Sequence, residues 1–407
     1  MMSNQTITSV PGFEAGAIHC GIKRSGKPDL AMLVSRISAT AAAVFTTNKV
    51  VGAPVIVGRK NIKSGIISAC IINSGCANVC TGKQGIRDAQ EMCSLTSTAL
   101  ISRGLVMIPQ RVLPFSTGVI GHYLPMEKIR VGTVTLVRQI GDSAEHGMAF
   151  ATGILTTDLK TKTALARFKL RGKTITIAGC CKGSGMIAPN MATMLAYVAS
   201  DAAIAPSALR SAVKQVTDRT FNCVTVDQHT STSDTFVVMA NGLAGNNPIR
   251  AATNEWRTFT HALFEVCDSL ARQIAADGEG ATKLVCVKVT GAATEADARR
   301  AAMAIANSPL VKTAIHGGDP NWGRFVSAAG YSGAKMNPDR STCHVGNIAV
   351  FKNGRPTQAD LSQVEAHMRQ PQVEISVNLG MSGKGSCRVY TCDLSREYIT
   401  INADYHT

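Results

Sequence analysis

Short strand-like runs alternate with helix-like patterns along this chain, and that alternation limits the folds it can adopt. The strand-like runs are rich in β-branched residues, and they cover Pro54–Gly58, Ile66–Ile72, Lys173–Ile177, Val224–Val226, Leu284–Thr290 and Val373–Asn378. Apolar residues recur at helical spacing in Ile86–Ile101, Ala205–Val216, Glu255–Ala276 and Glu295–Ala306. The mixture predicts an α/β or α+β fold with several strands in each sheet, while the strand order stays open.

The length of 407 residues allows two or three domains, or one large two-lobed unit. A hydrophobic share of 45 % excludes wholesale disorder. The 42 Lys and Arg outnumber the 27 Asp and Glu and leave a net charge of +15, which raises nucleic-acid binding as an alternative. However, basic residues never exceed two in a row, and the aromatic residues (5 %) do not interleave with them. We therefore favour a basic enzyme surface and expect no nucleic-acid partner.

Targeting and redox signals point to the cytoplasm. The first residues carry no basic residue before Lys23 and no apolar signal region, so neither a secretory signal nor a transit peptide is predicted. No stretch approaches 18 uncharged apolar residues, and we expect no membrane partner. The 13 Cys show no CxxC spacing, which favours reduced, buried thiols and argues against zinc.

One irregular segment, Gly179–Leu195, follows a strand-like run and leads into the apolar run Met194–Val198. Glycines, a proline and a Lys–Ser pair interrupt it, and folds often place reactive groups in such turns. Common catalytic signatures such as GxGxxG, Walker A and HExxH are absent from the sequence. The nine His have no ligand spacing, so no metal site is predicted.

Thr193 lies in this segment and has one chemical route to becoming a nucleophile. A Thr hydroxyl needs a base, and a free amine on the same residue is such a base. That amine would appear if the chain cut itself between Ala192 and Thr193, by attack of the hydroxyl on the Ala192 carbonyl. The run Ser116-Thr117-Gly118 could supply one hydroxyl and one backbone N–H as an oxyanion hole. The spacing alone favours a simpler interpretation, in which Thr193 only begins a buried strand.

The segment from Lys182 to Leu195, read KGSGMIAPNMATML, resembles the self-cleavage site of the glutamate N-acetyltransferase family, also called ornithine acetyltransferases. The resemblance covers essentially the whole chain in family order. Its other motifs are Gly21-Ile-Lys, Val44–Asn48, Asn73–Gly82, Thr156-Thr157-Asp158, Asp227–Thr235, Asp277–Lys283, Asp319–Arg324 and Ile401–Thr407.

The resemblance implies a role for each matching position. Thr193 corresponds to the processed nucleophile, with Ala192 on the other side of the cut, and Thr117 and Gly118 correspond to the oxyanion hole. The substrate-binding positions correspond to Thr156, Lys182, Thr193, Glu279, Asn402 and Thr407.

The implied reaction is acetyl transfer from N2-acetyl-L-ornithine to L-glutamate, in arginine biosynthesis, through an acetyl-Thr193 intermediate. Some members also accept acetyl-CoA as donor; no other cofactor and no metal is implied. The implied fold is an αββα sandwich of the N-terminal-nucleophile type, related to the self-cleaving aminopeptidases, with a second lobe. Residues 1–192 would form one chain and residues 193–407 the other, assembled as an α2β2 heterotetramer.

The proposed cut divides the charge unequally. Residues 1–192 contain 22 Lys and Arg but only 8 Asp and Glu, a net charge of +14. Residues 193–407 contain 20 and 19, a net charge of +1. The basic excess therefore belongs almost wholly to the first chain, which weakens its interpretation as a nucleic-acid footprint.

The sequence departs from the family pattern in the Asp227–Asp234 loop, read DQHTSTSD, where Gln228 and His229 are unusual. Two alternatives stay open beside the transferase. One is an N-terminal-nucleophile aminopeptidase or amidohydrolase, which shares the self-cleavage and the fold and would let water take the acyl group. The other, suggested by the altered loop, is a processed but inactive binding protein.

Overall fold

The structure is a computed structural model that describes residues 5–188 and 194–404. The strands are β1 (Phe13–Ile18), β2 (Leu30–Phe45), β3 (Ile66–Cys76), β4 (Val112–Val119), β5 (Lys162–Leu170), β6 (Lys173–Lys182), β7 (Leu195–Ser200), β8 (Thr235–Ala240), β9 (Leu284–Ala292), β10 (Thr342–Val345), β11 (Ile348–Lys352), β12 (Arg355–Pro356), β13 (Gln372–Asn378) and β14 (Gly385–Cys392). The helices are α1 (Ala53–Asn61), α2 (Gly82–Ile101), α3 (Met126–Gln139), α4 (Ala144–Gly153), α5 (Pro206–Arg219), α6 (Asn254–Ala276), α7 (Glu295–Asn307), α8 (Pro309–Gly317), α9 (Gly323–Gly330), α10 (Leu361–Met368) and α11 (Arg396–Asp404).

The long strand β2 joins two halves of an eight-stranded sheet. The sheet order is β4-β3-β2-β8-β7-β6-β5, with β1 paired to β2 outside this path. The first part of β2, residues 30–35, pairs with β1, and most of its pairing with β3 also lies there. Its last part, residues 40–45, pairs with β8. The register with β3 shifts between Val34 and Ala39, so the strand is irregular where the halves meet.

Alternating side chains show that the two halves stack face to face. On β6, Ala178 and Cys180 point into a core shared with β1, β2, β3 and α4. Their neighbours Ile177 and Cys181 point the other way, into a core built with α5 and α6. The outer face of β2 and β3 is covered in the same manner by α2 and α3. Because each layer of strands has helices outside it, the architecture is the predicted αββα sandwich.

The second lobe is a six-stranded sheet of order β12-β11-β10-β13-β9-β14. Helices α7, α8, α9 and α10 contribute to its separate hydrophobic core. A backbone hydrogen bond joins this lobe to the sandwich: the N–H of Thr225 donates to the carbonyl of Tyr390 at 3.0 Å. The predicted second lobe is therefore confirmed.

Two predicted strands are wrong. Pro54–Gly58 belongs to helix α1, which begins with Pro in its first turn. A run of five apolar residues is too short for its periodicity to distinguish a strand from a helix. A Pro near the beginning of such a run is instead typical of the first turn of a helix. Val224–Val226 forms only an isolated bridge, between Val224 and Tyr390. The other predicted runs fall within β3, β6, β9, β13, α2, α5, α6 and α7, with small differences at their ends.

All 13 cysteines lie in the described residues and are free thiols, most of them buried. This agrees with the prediction of reduced, buried thiols. None of the helices in residues 5–188 and 194–404 is long and apolar enough to cross a membrane.

Substitutions of the buried Tyr197 test the packing of the core between the two strand layers. The ring of Tyr197 meets those of Phe115 and Phe150 edge-on, with centroids 4.9 and 5.2 Å away. Within the described residues its hydroxyl has no hydrogen-bond partner. Tyr197→Phe should leave the free energy of unfolding unchanged or raise it by about 1 kcal/mol, because an unpaired buried hydroxyl is removed. Tyr197→Ala should lower it by about 3–5 kcal/mol.

Urea denaturation of both variants measures these differences. The exposed Tyr331→Phe serves as control and should stay within about 0.5 kcal/mol of the wild type. A clear loss of stability in Tyr197→Phe would show that the hydroxyl has a partner and that this description of the core is wrong.

Candidate functional site

A cleft of about 1320 Å³ brings together predicted residues from distant parts of the chain. Six predicted site residues line it: Thr117, Gly118, Thr156, Lys182, Glu279 and Asn402. They come from the end of β4, the loop after α4, the end of β6, the turn before β9, and helix α11. The remaining predicted residues, Ala192, Thr193 and Thr407, lie outside the described residues.

Close backbone contact fixes the conformation of Thr117 and Gly118. Strands β3 and β4 run parallel here, with Gly75 opposite Gly118, and their register is irregular at Cys76. Gly118 has a φ of 126°, and a Cβ on it would lie only 2.4 Å from the carbonyl carbon of Gly75. Only glycine fits this position, and the resulting turn brings the Thr117–Gly118 backbone to the wall of the cleft.

Lys182 is a buried cation, with only 3 % of its surface exposed. Burial lowers the pKa of its ammonium below the ordinary value, and the charge of Asp158 offsets part of that effect. Its Nζ lies 3.9 Å from Asp158 Oδ2, too far for a hydrogen bond but close enough for attraction. The group is therefore suited to holding an anion inside the cleft.

Asp158 is the centre of a buried ion network. Its Oδ1 accepts from Lys162 Nζ at 2.7 Å and from the N–H of Gly183 at 2.6 Å. Lys162 Nζ also donates to Asp277 Oδ2 at 2.6 Å. Burial raises the pKa of Asp158, but Lys182 and Lys162 outweigh it and lower the pKa to about 2. The carboxylate stays ionised at neutral pH and balances both lysines.

Glu279 and Asn402 form a second polar pair in the cleft. Asn402 Nδ2 donates to Glu279 Oε2 at 3.0 Å, and the N–H of Glu279 donates to the carbonyl of Ser184 at 3.1 Å. A Cβ on Gly185 would lie 2.3 Å from the Glu279 carboxyl carbon, so the glycine makes room for this side chain. Because the Glu279 carboxylate and the Lys182 ammonium line the same cleft, the cleft can bind a ligand that carries both charges.

The Asp227–Asp234 loop contacts the chain on both sides of residues 189–193. Asp227 accepts from the N–H groups of Met186 and Ile187, at 2.6 and 2.9 Å. At the other end, Asp234 Oδ1 accepts from the N–H of Met194 at 2.8 Å. Asp227 and Asp234, the two aspartates of the family motif, thus both accept backbone hydrogen bonds from this part of the chain. The unusual Gln228 has a positive φ of 63° and donates to the carbonyl of Asn307.

The cleft carries a basic side. Five basic residues line it besides Lys182: Lys23, Arg24, Lys27, Lys128 and Lys160. Burial lowers the pKa of Lys23 to about 8. Such a concentration of positive charge favours anionic ligands. All five belong to the first of the two proposed chains, where the sequence places the charge excess.

The sequence interpretation missed the network that holds Lys182. Asp158 appeared only as part of a motif, and Lys162 and Asp277 had no assigned role. The spacing of Asp158 and Lys162, four residues apart, was a weak signal. Nothing in the sequence indicates that Asp277 reaches the same lysine, because 115 positions separate them.

The structure thus combines an αββα sandwich with a cleft that is lined by a buried lysine and by a turn that only glycine fits. The ArgJ family model matches residues 14–407. The arginine biosynthesis bifunctional protein ArgJ of Geobacillus kaustophilus is 44 % identical over the whole of this chain and 97 % of its own length. That of Dehalococcoides mccartyi is 44 % identical over the whole chain and 98 % of its own.

The chain in a crystal structure of ArgJ from Bacillus halodurans is 45 % identical in sequence to this one, with a TM-score of 0.51. The match covers 52 % of this chain and 100 % of the crystallised chain. The chain belongs to the ArgJ family. The resemblance stated from the sequence and the enzyme class it implied, an acyltransferase of arginine biosynthesis, are confirmed.

Gly118→Ala tests the close backbone contact at Gly118. A strained backbone alone costs about 1–3 kcal/mol. We expect the substitution to lower the free energy of unfolding by more than this amount, because the new Cβ would also collide with the backbone of Gly75. Gly121→Ala is the matched control, since Gly121 also has a positive φ (88°) but nothing within 4 Å of the added atom. Thermal unfolding compares the two. Equal midpoints would contradict the close contact.

Asp158→Asn tests the buried network. We expect a loss of about 3–5 kcal/mol in the free energy of unfolding at neutral pH, because two buried lysines lose their counter-charge. The folded pKa of about 2 lies below the ordinary 3.8, so the wild-type advantage is complete above pH 3.8 and is lost as pH falls through about 2. The difference between wild type and variant should therefore narrow in acid.

Urea denaturation at several pH values makes this measurement. Asp142→Asn is the control, because it removes an exposed pair with Arg36 and should cost about 0–1 kcal/mol. A pH-independent difference between Asp158→Asn and wild type would contradict the network as described.

Proposed function

We propose that this chain transfers acetyl from N2-acetyl-L-ornithine to L-glutamate through an acetyl ester of Thr193. The observation that carries the proposal is the cleft, where six family positions from five separate elements meet. Both substrates are amino acids that carry an α-carboxylate. The buried Lys182, the Glu279–Asn402 pair and the basic side of the cleft provide the charges that such ligands need.

In the first half-reaction, the Thr193 hydroxyl attacks the acetyl carbonyl and its proton passes to the α-amine of the same residue. The tetrahedral oxyanion is stabilised by the Thr117 hydroxyl and the Gly118 N–H. The C–N bond then breaks, ornithine leaves with the proton, and acetyl-Thr193 remains. In the second, the glutamate amine attacks the ester and the steps run in reverse. Lys182 holds the substrate carboxylate, and Glu279 holds an ammonium group.

The α-amine requires a cut between Ala192 and Thr193, giving chains of residues 1–192 and 193–407. One comparison supports the cut. Full-length relatives match this chain from end to end, whereas the crystallised chain of one relative corresponds to only 52 % of it. Strands β6 and β7 pair across the proposed cut, from Lys182 opposite Leu195 to Ile177 opposite Ser200. Two chains joined in one sheet would stay together after cleavage.

Three further points follow the family resemblance. Two cleaved units would assemble as an α2β2 heterotetramer, the enzyme would act in the cytoplasm, and acetyl-CoA would serve as a second acetyl donor. No metal and no bound cofactor enters the chemistry described above. The basic side of the cleft would also suit the phosphates of acetyl-CoA.

Incubation with acetylornithine, with and without glutamate, tests the reaction. Ornithine release should require glutamate, with ping-pong kinetics, because the acetyl group waits on Thr193 for its acceptor. Thr193→Ala should abolish release, while the exposed Thr258→Ala should behave as wild type.

The other outcomes separate the alternatives. Rapid ornithine release without glutamate would identify a hydrolase of the aminopeptidase type. No release under either condition would point to an inactive binding protein. Either result would contradict the transferase.

A further inference from the structure

Two cysteines lie outside the cleft, where the second lobe meets the sandwich. Cys223 ends a short 3-10 turn, Phe221–Cys223, and Cys387 lies on β14 of the second lobe. The hydrogen bond from the N–H of Thr225 to the carbonyl of Tyr390 holds these two elements side by side. Cys223 belongs to the hydrophobic core of the second lobe, and Cys387 packs against that core.

The two thiols are in contact. The Cys223 thiol donates a hydrogen bond to the Cys387 sulfur. The carbonyl of Asp218 lies 3.4 Å from Cys223 Sγ and is a second acceptor for the same thiol. Both cysteines are free thiols in the structure. Since two sulfurs in contact can bond with little movement of the backbone, the pair is placed to form a disulfide.

Arg299 of α7 lies beside this pair. Its guanidinium donates to the carbonyl of Asp218 at 3.1 Å and to that of the residue before Cys223. The hydrogen bond from Cys223 lowers the pKa of the Cys387 thiol and the Arg299 charge adds to this effect, while burial and Glu295 oppose it. The same hydrogen bond raises the pKa of Cys223. Cys387 is therefore the thiol that ionises first, and its partial exposure lets a small oxidant reach it.

We propose that Cys223 and Cys387 form a reversible disulfide when the protein meets hydrogen peroxide. The Cys387 thiolate attacks one peroxide oxygen, the O–O bond breaks, and the leaving hydroxide takes the proton of the Cys223 thiol to become water. The Cys223 thiolate then attacks the Cys387 sulfur, and the S–O bond of the sulfenic acid breaks. The second hydroxide takes up the proton that Cys387 released when it ionised. Two thiols are thus oxidised, and one peroxide is reduced to two waters.

The disulfide locks the second lobe onto the segment that supports the cleft. Four residues beyond Cys223, Asp227 accepts from the N–H of Met186 at 2.6 Å, and Met186 lines the cleft. Both cysteines lie on the same side of the proposed cut between Ala192 and Thr193, so the inference does not depend on that cut.

Peroxide treatment of the purified wild-type protein tests the proposal. The remaining thiols are then alkylated, and the peptides are mapped by mass without reduction. We expect a cross-linked peptide pair that contains Cys223 and Cys387 and that disappears after treatment with dithiothreitol. The midpoint of thermal unfolding should rise by about 5 °C or more on oxidation and return on reduction, because the bridge restricts the unfolded chain.

Cys286→Ser is the matched control, because Cys286 is also partly exposed in the second lobe but burial raises the pKa of its thiol to about 11. This variant should form the cross-link as the wild type does, whereas Cys387→Ser should form none. In the wild type, iodoacetamide should modify Cys387 at least about tenfold faster than Cys286, because the thiolate is the nucleophile.

The wild-type measurements do not depend on the folding of a variant. Oxidation of Cys387 to a sulfinic acid while Cys223 stays free would overturn the proposal. Peroxide treatment that leaves both thiols intact, a cross-link of either one to a different cysteine, or equal alkylation of Cys387 and Cys286 would overturn it as well.

Discussion

Hydrogen bonding on both edges of β7 is the constraint on which the site depends. Its residues pair antiparallel with β6 and parallel with β8, so the strand is fixed in the middle of the sheet. Met194 directly precedes β7, and its N–H donates to Asp234 Oδ1 at 2.8 Å. Lys182 lies at the end of β6, where it pairs with Leu195 at the start of β7. Chain cleavage would free an amine there without dismantling the core, because the strands on either side remain paired.

The charges around that position have different physical roles. Asp158 is held ionised by two lysines, and in return it allows Lys182 to stay buried as a cation. Burial instead raises the pKa of Asp234 well above its ordinary value, although the Met194 N–H, Lys182 and Ser231 oppose the change. The pKa values of the two buried carboxyl groups therefore shift in opposite directions, because two lysines lie close to Asp158.

Sequence patterns predicted much of this structure. Runs rich in β-branched residues predicted β3 and β6 in the sandwich and β9 and β13 in the second lobe. The family motifs predicted six residues that the fold brings together in the cleft. The apolar run at Pro54–Gly58 failed because five residues show no period, and the chain became helix α1. The Lys162–Asp277 pair was beyond prediction, since it joins β5 to the end of α6. Such long-range pairing depends on how the layers stack, which local patterns do not encode.

Intact mass measurement of the purified protein tests the central claim most directly, because the proposed catalytic amine exists only after cleavage. The wild type should give two chains that divide between Ala192 and Thr193 and that separate only under denaturing conditions. Thr193→Ala should give one full-length, inactive chain. A single uncut wild-type chain with full transfer activity would contradict the account.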